Sequence, residues 1–273
     1  MSVYVAGADI GSTTAKVVIL DGEGKISATS LGPTGASIVE AAQRRFKEAI
    51  EAAKIDEHEV EFVVGTGYGR FKIPFGHTQI TEISCHAKGA HYLFPGTRTI
   101  VDIGGQDTKA IGADERGEVA DFCMNDKCAA GTGRFLDNAA LAVGLSIDEI
   151  GPISLKAAKP LRITNVCTVF VESEIMSHMA RGEKIEDVLR GVHNAIAIRS
   201  IALMRRVGIT PEVTFTGGVS RNVGMVQALE GQLGTKVNVS PLSQYVGAIG
   251  AALYALERAR GAPPTELVAE ASG

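Results

Sequence analysis

The feature that most constrains this chain is an internal repeat. Ala8-Asp9-Ile10-Gly11-Ser12-Thr13-Thr14-Ala15-Lys16 aligns with Val101-Asp102-Ile103-Gly104-Gly105-Gln106-Asp107-Thr108-Lys109 at an offset of 93, with Asp, Ile, Gly and Lys coincident. At the same offset Asp21 meets Asp114 and Gly24 meets Gly117. Each copy reads as an apolar strand, a tight glycine turn, a second strand and a further hairpin at residues 21–24 or 114–117. Chance can supply one such pair. Two with matching downstream hairpins point to two lobes of related topology.

Both turns have the chemistry of phosphate loops. Gly11 lets the backbone turn tightly and approach a ligand. Ser12, Thr13 and Thr14 offer hydroxyls and consecutive N–H groups that suit a phosphate. Gly104, Gly105 and Gln106 occupy the same stretch of the second copy. Lys16 adds positive charge to the loop or is an ordinary exposed strand residue. Asp9 and Asp102 repel phosphate but suit hydrated Mg2+, which takes one or two carboxylates together with water and phosphate oxygens. Gln106 contacts a phosphate or orients an attacking water. A third turn, Thr216-Gly217-Gly218-Val219-Ser220-Arg221-Asn222, ends a strand and opens a helix. Its glycine pair permits close stacking on a purine or ribose. Neither a Walker-type loop nor a Gly-x-Gly-x-x-Gly fingerprint accompanies a suitable strand. A nucleotide is therefore expected between two lobes.

The rest of the chain fits this plan. Its 273 residues allow one large domain or two compact lobes, and a 45% hydrophobic content supports a sizeable core. A net charge of -4 with 21% charged residues argues against a nucleic-acid partner. No apolar run reaches the roughly 18 residues of a membrane span. The N-terminal residues lack a basic signal-peptide region, so a cytoplasmic location is expected. Helical patterns cover residues 37–54, 131–143, 168–179, 185–207, 223–233 and 244–258. Strand patterns cover 61–65, 213–216 and 237–239. The order is α/β. The first lobe is expected over residues 1–98, rejoined by about 243–260, and the second over 99–242. Residues 261–273 are expected to be a frayed, disordered tail.

Cysteines stand at 85, 123, 128 and 167, without a Cys-x-x-Cys pair. Cys128 enters a glycine turn and helix, and Gly131 and Gly133 of that turn join the candidate cofactor contacts. Cys167 just precedes another helix. Free N–H groups and the dipole at a helix start favour thiolate. Two thiolates are half of what an iron–sulfur cluster needs. A twofold dimer supplies four. Cys85 and Cys123 read as packing residues.

Over about residues 3–258 the sequence resembles the ATP-dependent activators of 2-hydroxyacyl-CoA dehydratases and the related ATPase subunits of benzoyl-CoA reductase, the BadF/BadG/BcrA/BcrD-type ATPases. The matching segments are residues 9–16, Gly65-Thr66-Gly67-Tyr68-Gly69-Arg70, Glu82-Ile83-Ser84-Cys85-His86-Ala87, and residues 102–107, 125–135, 165–174 and 216–222. The resemblance implies the actin-like ATPase fold of acetate and sugar kinases, heat-shock chaperones and actin, with a ribonuclease H-like core in each of two lobes. It implies ATP/ADP and Mg2+ at the loops. Asp9 and Asp102 serve the metal, Ser12, Thr13, Thr14, Lys16, Gly105 and Gln106 serve the phosphates, and Gly217, Gly218, Asn222 and Gln244 border the adenosine. It further implies a homodimer, or a pair of related subunits, sharing one 4Fe-4S cluster on Cys128 and Cys167. Ferredoxin or flavodoxin donates the electron. An acyl-CoA dehydratase or aromatic-CoA reductase component accepts it. Residues 64–70 and 80–91 look slightly closer to the benzoyl-CoA reductase subunits. Arg70 and His86 match family motifs without a defined chemical role, and His86 reads as a structural histidine. An amino-sugar kinase of the same architecture is the alternative; it shares the loops but needs neither Cys128 nor Cys167. A non-catalytic nucleotide switch needs an additional region, for which 273 residues leave little room.

Overall fold

The computed structural model describes residues 3–164 and 168–261. In chain order the first elements are β1 (Tyr4–Ile10), β2 (Thr14–Asp21), β3 (Ile26–Pro33), α1 (Ile38–Ala53), β4 (Val60–Thr66), β5 (Thr78–Gln79) and α2 (Glu82–Leu93). Then come β6 (Thr99–Ile103), β7 (Thr108–Ala113), β8 (Val119–Asn125), α3 (Gly133–Ala142), α4 (Ile147–Ser154), α5 (Thr168–Ala180) and α6 (Ile185–Val207). β9 (Val213–Thr216), α7 (Val223–Leu233) and α8 (Val246–Ala259) complete the series. The chain divides into two compact units. One holds Met1–Pro95, Asp114–Val119 and Gln244–Gly273; the other holds Gly96–Ala113 and Ala120–Ser243.

The first unit is built on a five-stranded sheet of order β3-β2-β1-β4-β5. β1 runs antiparallel to β2 and parallel to β4. Its residues Val5, Ala6, Ala8 and Ile10 are fully buried, which explains a continuous apolar strand instead of an alternating one. α1 starts at Ser37, whose side chain accepts the Glu40 N–H, and ends at Lys54 in the left-handed region. It buries Ala41, Ala42, Phe46 and Ala49 in the core formed with β1 and β2, and Phe46 stacks on Phe75 at 4.2 Å.

The second unit has a four-stranded sheet of order β8-β7-β6-β9, with β6 antiparallel to β7 and parallel to β9. Its core gathers Val188, Leu189, Val192 and Ile196 of α6 with Phe135, Phe215 and Met225. The two meanders share fine detail. Asp21 Oδ1 accepts the N–H groups of Glu23 (3.0 Å) and Lys25 (2.9 Å). Asp114 Oδ1 accepts those of Arg116 (2.8 Å) and Glu118 (2.9 Å), and these two bonds hold the Asp114 carboxyl below its usual range.

Several local expectations change. Residues 237–239 form no strand; a single bridge joins Asn238 to Thr214, and a Glu230 side-chain oxygen takes the Val237 N–H. The C-terminal helix is preceded by a short 3-10 turn, Ser243–Tyr245, so α8 itself starts at Val246. α3 starts at Gly133, not Gly131. α2 and α4 add two helices to the pattern. Residues 262–273 of the expected tail lie outside the described residues. Among the described residues no helix is long and apolar enough to cross a membrane.

Candidate nucleotide site

Each repeat copy ends its first strand in a buried aspartate facing a lysine across the hairpin. In the first unit Asp9 is register partner of Lys16, and Lys16 Nζ lies 3.1 Å from Asp9 Oδ2. In the second, Asp102 is register partner of Lys109, whose Nζ lies 3.5 Å from Asp102 Oδ2 and 2.6 Å from Asp107 Oδ2. Lys16 is thus the counter-ion of a buried carboxylate and not an ordinary exposed strand residue. The turns close alike: Gly11 N–H donates to Thr14 O and Gly104 N–H to Asp107 O, each at 3.0 Å. Ser12, Thr13 and Gln106 are exposed at the turn tips, and Gly11, Thr14, Gly104 and Gly105 are half-buried.

The parallel strand beside each aspartate extends the duplication beyond what the repeat in sequence shows. Asp9 is in register with Thr66 of β4, and Asp102 with Thr216 of β9. Each threonine is followed by a glycine at positive φ, +83° at Gly67 and +85° at Gly217. A Cβ on Gly67 would stand 2.5 Å from Asp9 Oδ1, and one on Gly217 would stand 2.9 Å from Asp102 Oδ1. Only glycine tolerates both the backbone angle and that proximity. The signal was present in the sequence, as Thr-Gly at 66–67 and 216–217, but the differing spacing from the aspartates hides it. Each unit therefore carries a four-residue constellation of Asp, Lys, Thr and Gly.

The remaining candidate residues fall around these centres. In the second unit α3 docks on the Asp102 loop, its Gly133 N–H donating to Gly104 O (2.8 Å) and Arg134 N–H to Gly105 O (3.0 Å). Thr108 Oγ1 donates to Gly131 O at 3.0 Å. Gly131 and Gly133 thus bond directly to the Asp102 loop and the strand that follows it. Gly217 and Gly218 lead into a 3-10 turn, and half-buried Asn222 caps α7 by accepting the Met225 N–H at 3.1 Å. Asn222 Oδ1 also lies 3.1 Å from Nε2 of His193, a fully buried residue absent from the expectations. Burial pushes the His193 imidazole down to about 4, against the pull of its contacts with Leu189 O and Asn222. Gln244 belongs to the first unit.

Cys128 is exposed, and Asn125 Nδ2 holds its carbonyl at 2.9 Å. It precedes the α3 cap, Thr132, by four residues. Cys167 lies outside the described residues. Cys85 and Cys123 are buried, and burial pushes the Cys85 thiol up to about 12. Among the described residues no three metal-ligating side chains converge.

A duplicated strand-and-carboxylate frame of this kind defines the actin-like ATPase class. A glucokinase of the ROK family from Streptomyces griseus shares the fold at a TM-score of 0.57 and 15% identity over 92% of this chain and 99% of that one. The chain belongs to the BadF/BadG/BcrA/BcrD ATPase family, whose model matches residues 6–255. It is 44% identical to the activator of lactoyl-CoA dehydratase from Anaerotignum propionicum over 94% of this chain and 99% of that one. Component A of (R)-2-hydroxyglutaryl-CoA dehydratase from Acidaminococcus fermentans superimposes with a TM-score of 0.92, at 42% identity, over 95% and 100% of the two chains. The activator of 2-hydroxyisocaproyl-CoA dehydratase from Clostridium difficile, solved with bound ADPNP, gives 0.89 at 41% identity over 94% and 96%. A benzoyl-CoA reductase subunit from Thauera aromatica is 33% identical over 91% and 92%. Over the full length the identity to the dehydratase activator is the higher of the two.

Proposed function

We propose that this chain is an ATP-hydrolysing activator that delivers a low-potential electron to an acyl-CoA dehydratase-type partner. The observation that carries the reading is the pair of Asp–Lys–Thr–Gly constellations in a chain whose relatives, matched end to end, are named dehydratase activators, one of them solved with ADPNP. A sugar kinase shares the fold alone.

In this reading Asp9 and Asp102 hold hydrated Mg2+. Each carboxylate is buried and balanced by a lysine, leaving acceptor capacity for metal-bound water. Ser12, Thr13, Thr14, Lys16, Gly104 and Gly105 meet the phosphates, with Gly11 permitting their approach. Gln106, exposed at its turn, orients the attacking water. Gly217, Gly218, Asn222 and Gln244 border the adenosine. Cys128, exposed and outside any disulfide, joins Cys167 and the same two residues of a second copy in holding a 4Fe-4S cluster. Such a group, when bound, supplies one-electron chemistry. ATP assists transfer only by binding the transfer-competent conformation more tightly than the resting one. Ferredoxin or flavodoxin is the donor, and the protein works as a cytoplasmic homodimer.

The test is anaerobic preparation followed by iron and sulfide analysis, size measurement and an ATPase assay. A brown, air-sensitive dimer that hydrolyses ATP and loses its iron on Cys128→Ala substitution is expected. Iron-free protein that phosphorylates a sugar overturns the reading in favour of a kinase.

A further inference from the structure

The two constellations differ at the lysine, which hydrogen-bonds Asp9 in the first unit and Asp107 in the second, and at the threonine. In the second unit Thr216 Oγ1 donates to Asp102 Oδ1 at 2.8 Å, so the carboxylate is gripped on both sides, by Thr216 and by Lys109. In the first unit Lys16 holds Asp9 Oδ2, but the register partner on the other side, Thr66, makes no corresponding bond. The Thr66 side chain is fully buried and its hydroxyl has no nitrogen or oxygen partner. Its neighbour is the Cys85 thiol, a weak partner at best. Asp9 Oδ1 lies directly against the next residue, Gly67, as Asp102 Oδ1 lies against Gly217. A buried hydroxyl left this way is unfavourable, and in a native protein it asks for an explanation. Threonine reaches a different partner by changing between staggered χ1 wells, without backbone movement.

We propose that Thr66 is a positioning residue for Asp9. Its hydroxyl leaves the Cys85 side and donates to Asp9 Oδ1 when Mg2+ and nucleotide load the site, giving Asp9 the two-sided grip that Asp102 already has. The resting protein keeps one carboxylate set and the other half-set, and loading completes the second. This rests on the ATPase reading above and adds a residue to it.

The experiment compares full-length wild type with Thr66→Val, Thr66→Ser and Thr216→Val. Three quantities are measured: Tm without nucleotide, the Mg2+ concentration giving half-maximal ATP hydrolysis, and the EPR signal of Mn2+ bound in the presence of ADP. Thr66→Val removes a hydroxyl that has no good partner in the resting state. Its Tm is expected to equal or exceed that of wild type, while half-saturating Mg2+ rises about tenfold, the worth of one hydrogen bond to a charged group. The rate at saturating metal changes little, and the Mn2+ signal weakens at a given concentration. Thr66→Ser restores both metal responses. Thr216→Val, which breaks a bond already made, lowers Tm. A purely structural Thr66 gives the opposite pattern, a lowered Tm with unchanged metal dependence, and that result overturns the proposal. So does a Thr66→Val chain that fails to fold, or a Thr66→Ser variant that stays as impaired as the valine. Wild-type protein indifferent to Mg2+ overturns the ATPase reading and this inference together; a normal wild type with an unaffected Thr66→Val overturns this inference alone.

Discussion

At the scale of single residues, the second clamp is the more deeply buried ion pair, with side-chain exposures of 4% for Lys109 and 3% for Asp102. Removing one partner of such a pair leaves an uncompensated charge. Lys109→Met is expected to destabilise the chain by about 3 kcal/mol, read from urea unfolding. Asp102→Asn keeps the shape and the Thr216 contact and leaves Lys109 paired with Asp107, so ATP hydrolysis is expected to fall by about 100-fold or more with the fold intact. Thiol chemistry separates along the same lines. Cys85 is enclosed and pushed up to about 12, so it stays protonated and inert at neutral pH, whereas Cys128 is exposed. Folded protein freed of iron and treated with a thiol reagent is expected to lose a fast-reacting group on Cys128→Ser substitution and to lose none on Cys85→Ser. A fast phase that disappears with Cys85 contradicts this placement.

At the scale of elements, α8 and α2 approach so closely at Gly89 and Gly250 that no side chain fits at those two positions. A Cβ on Gly250 would stand 1.8 Å from Cys85 O, and one on Gly89 would stand 2.0 Å from Val246 O. The obstacle is backbone and cannot rotate away. Gly250→Ala is therefore expected to cost roughly 3 kcal/mol, at the upper end for overpacking, in urea unfolding. This contact also explains what the sequence concealed. α2 buries Ile83, Ser84, Cys85, His86, Ala87, Gly89 and Ala90, so no polar face alternates with an apolar one and the helical period is faint. α6 was readable by its length, 23 residues rich in Ala, Ile and Leu against 12 in α2, and its bounds agree with the sequence reading. The clamps were legible as Asp-Ile-Gly with a lysine seven residues on. Their threonines were not, because parallel pairing brings Thr66 and Thr216 to the aspartates from strands distant in sequence. Cys128 was legible at the entrance to a glycine turn and helix, but the start of α3 at Gly133 was not, since the turn at residues 129–132 has no periodicity to measure.

At the scale of the whole molecule, pH reports on one buried group. His193 has its folded value lowered to about 4 from an ordinary 6.5, chiefly by burial. The unfolded chain binds this proton between those limits and the folded chain does not. Stability is then fully present above pH 6.5 and declines as pH falls toward 4, by on the order of 3 kcal/mol. His193→Gln is expected to flatten the profile in that window while retaining a side chain able to reach Asn222. An unchanged slope in denaturant titrations from pH 7 to 4 places the acid sensitivity elsewhere.

The repeat also has a history in it. The aspartates of the two copies are 93 residues apart, but their threonines are 150 apart. The span from aspartate to threonine is thus 57 residues longer in the second copy. In the first copy that stretch holds α1; in the second it holds α3 to α6, with both Cys128 and Cys167 inside it. Two copies descended from one ancestral half-molecule would have begun alike. The cysteine-bearing segment is the part in which the two copies differ, and it lies between the Asp102 meander and its parallel strand. Because α3 to α6 also build the core of the second unit and brace the Asp102 loop, the segment that carries the cysteines cannot be removed without dismantling the nucleotide frame beside it.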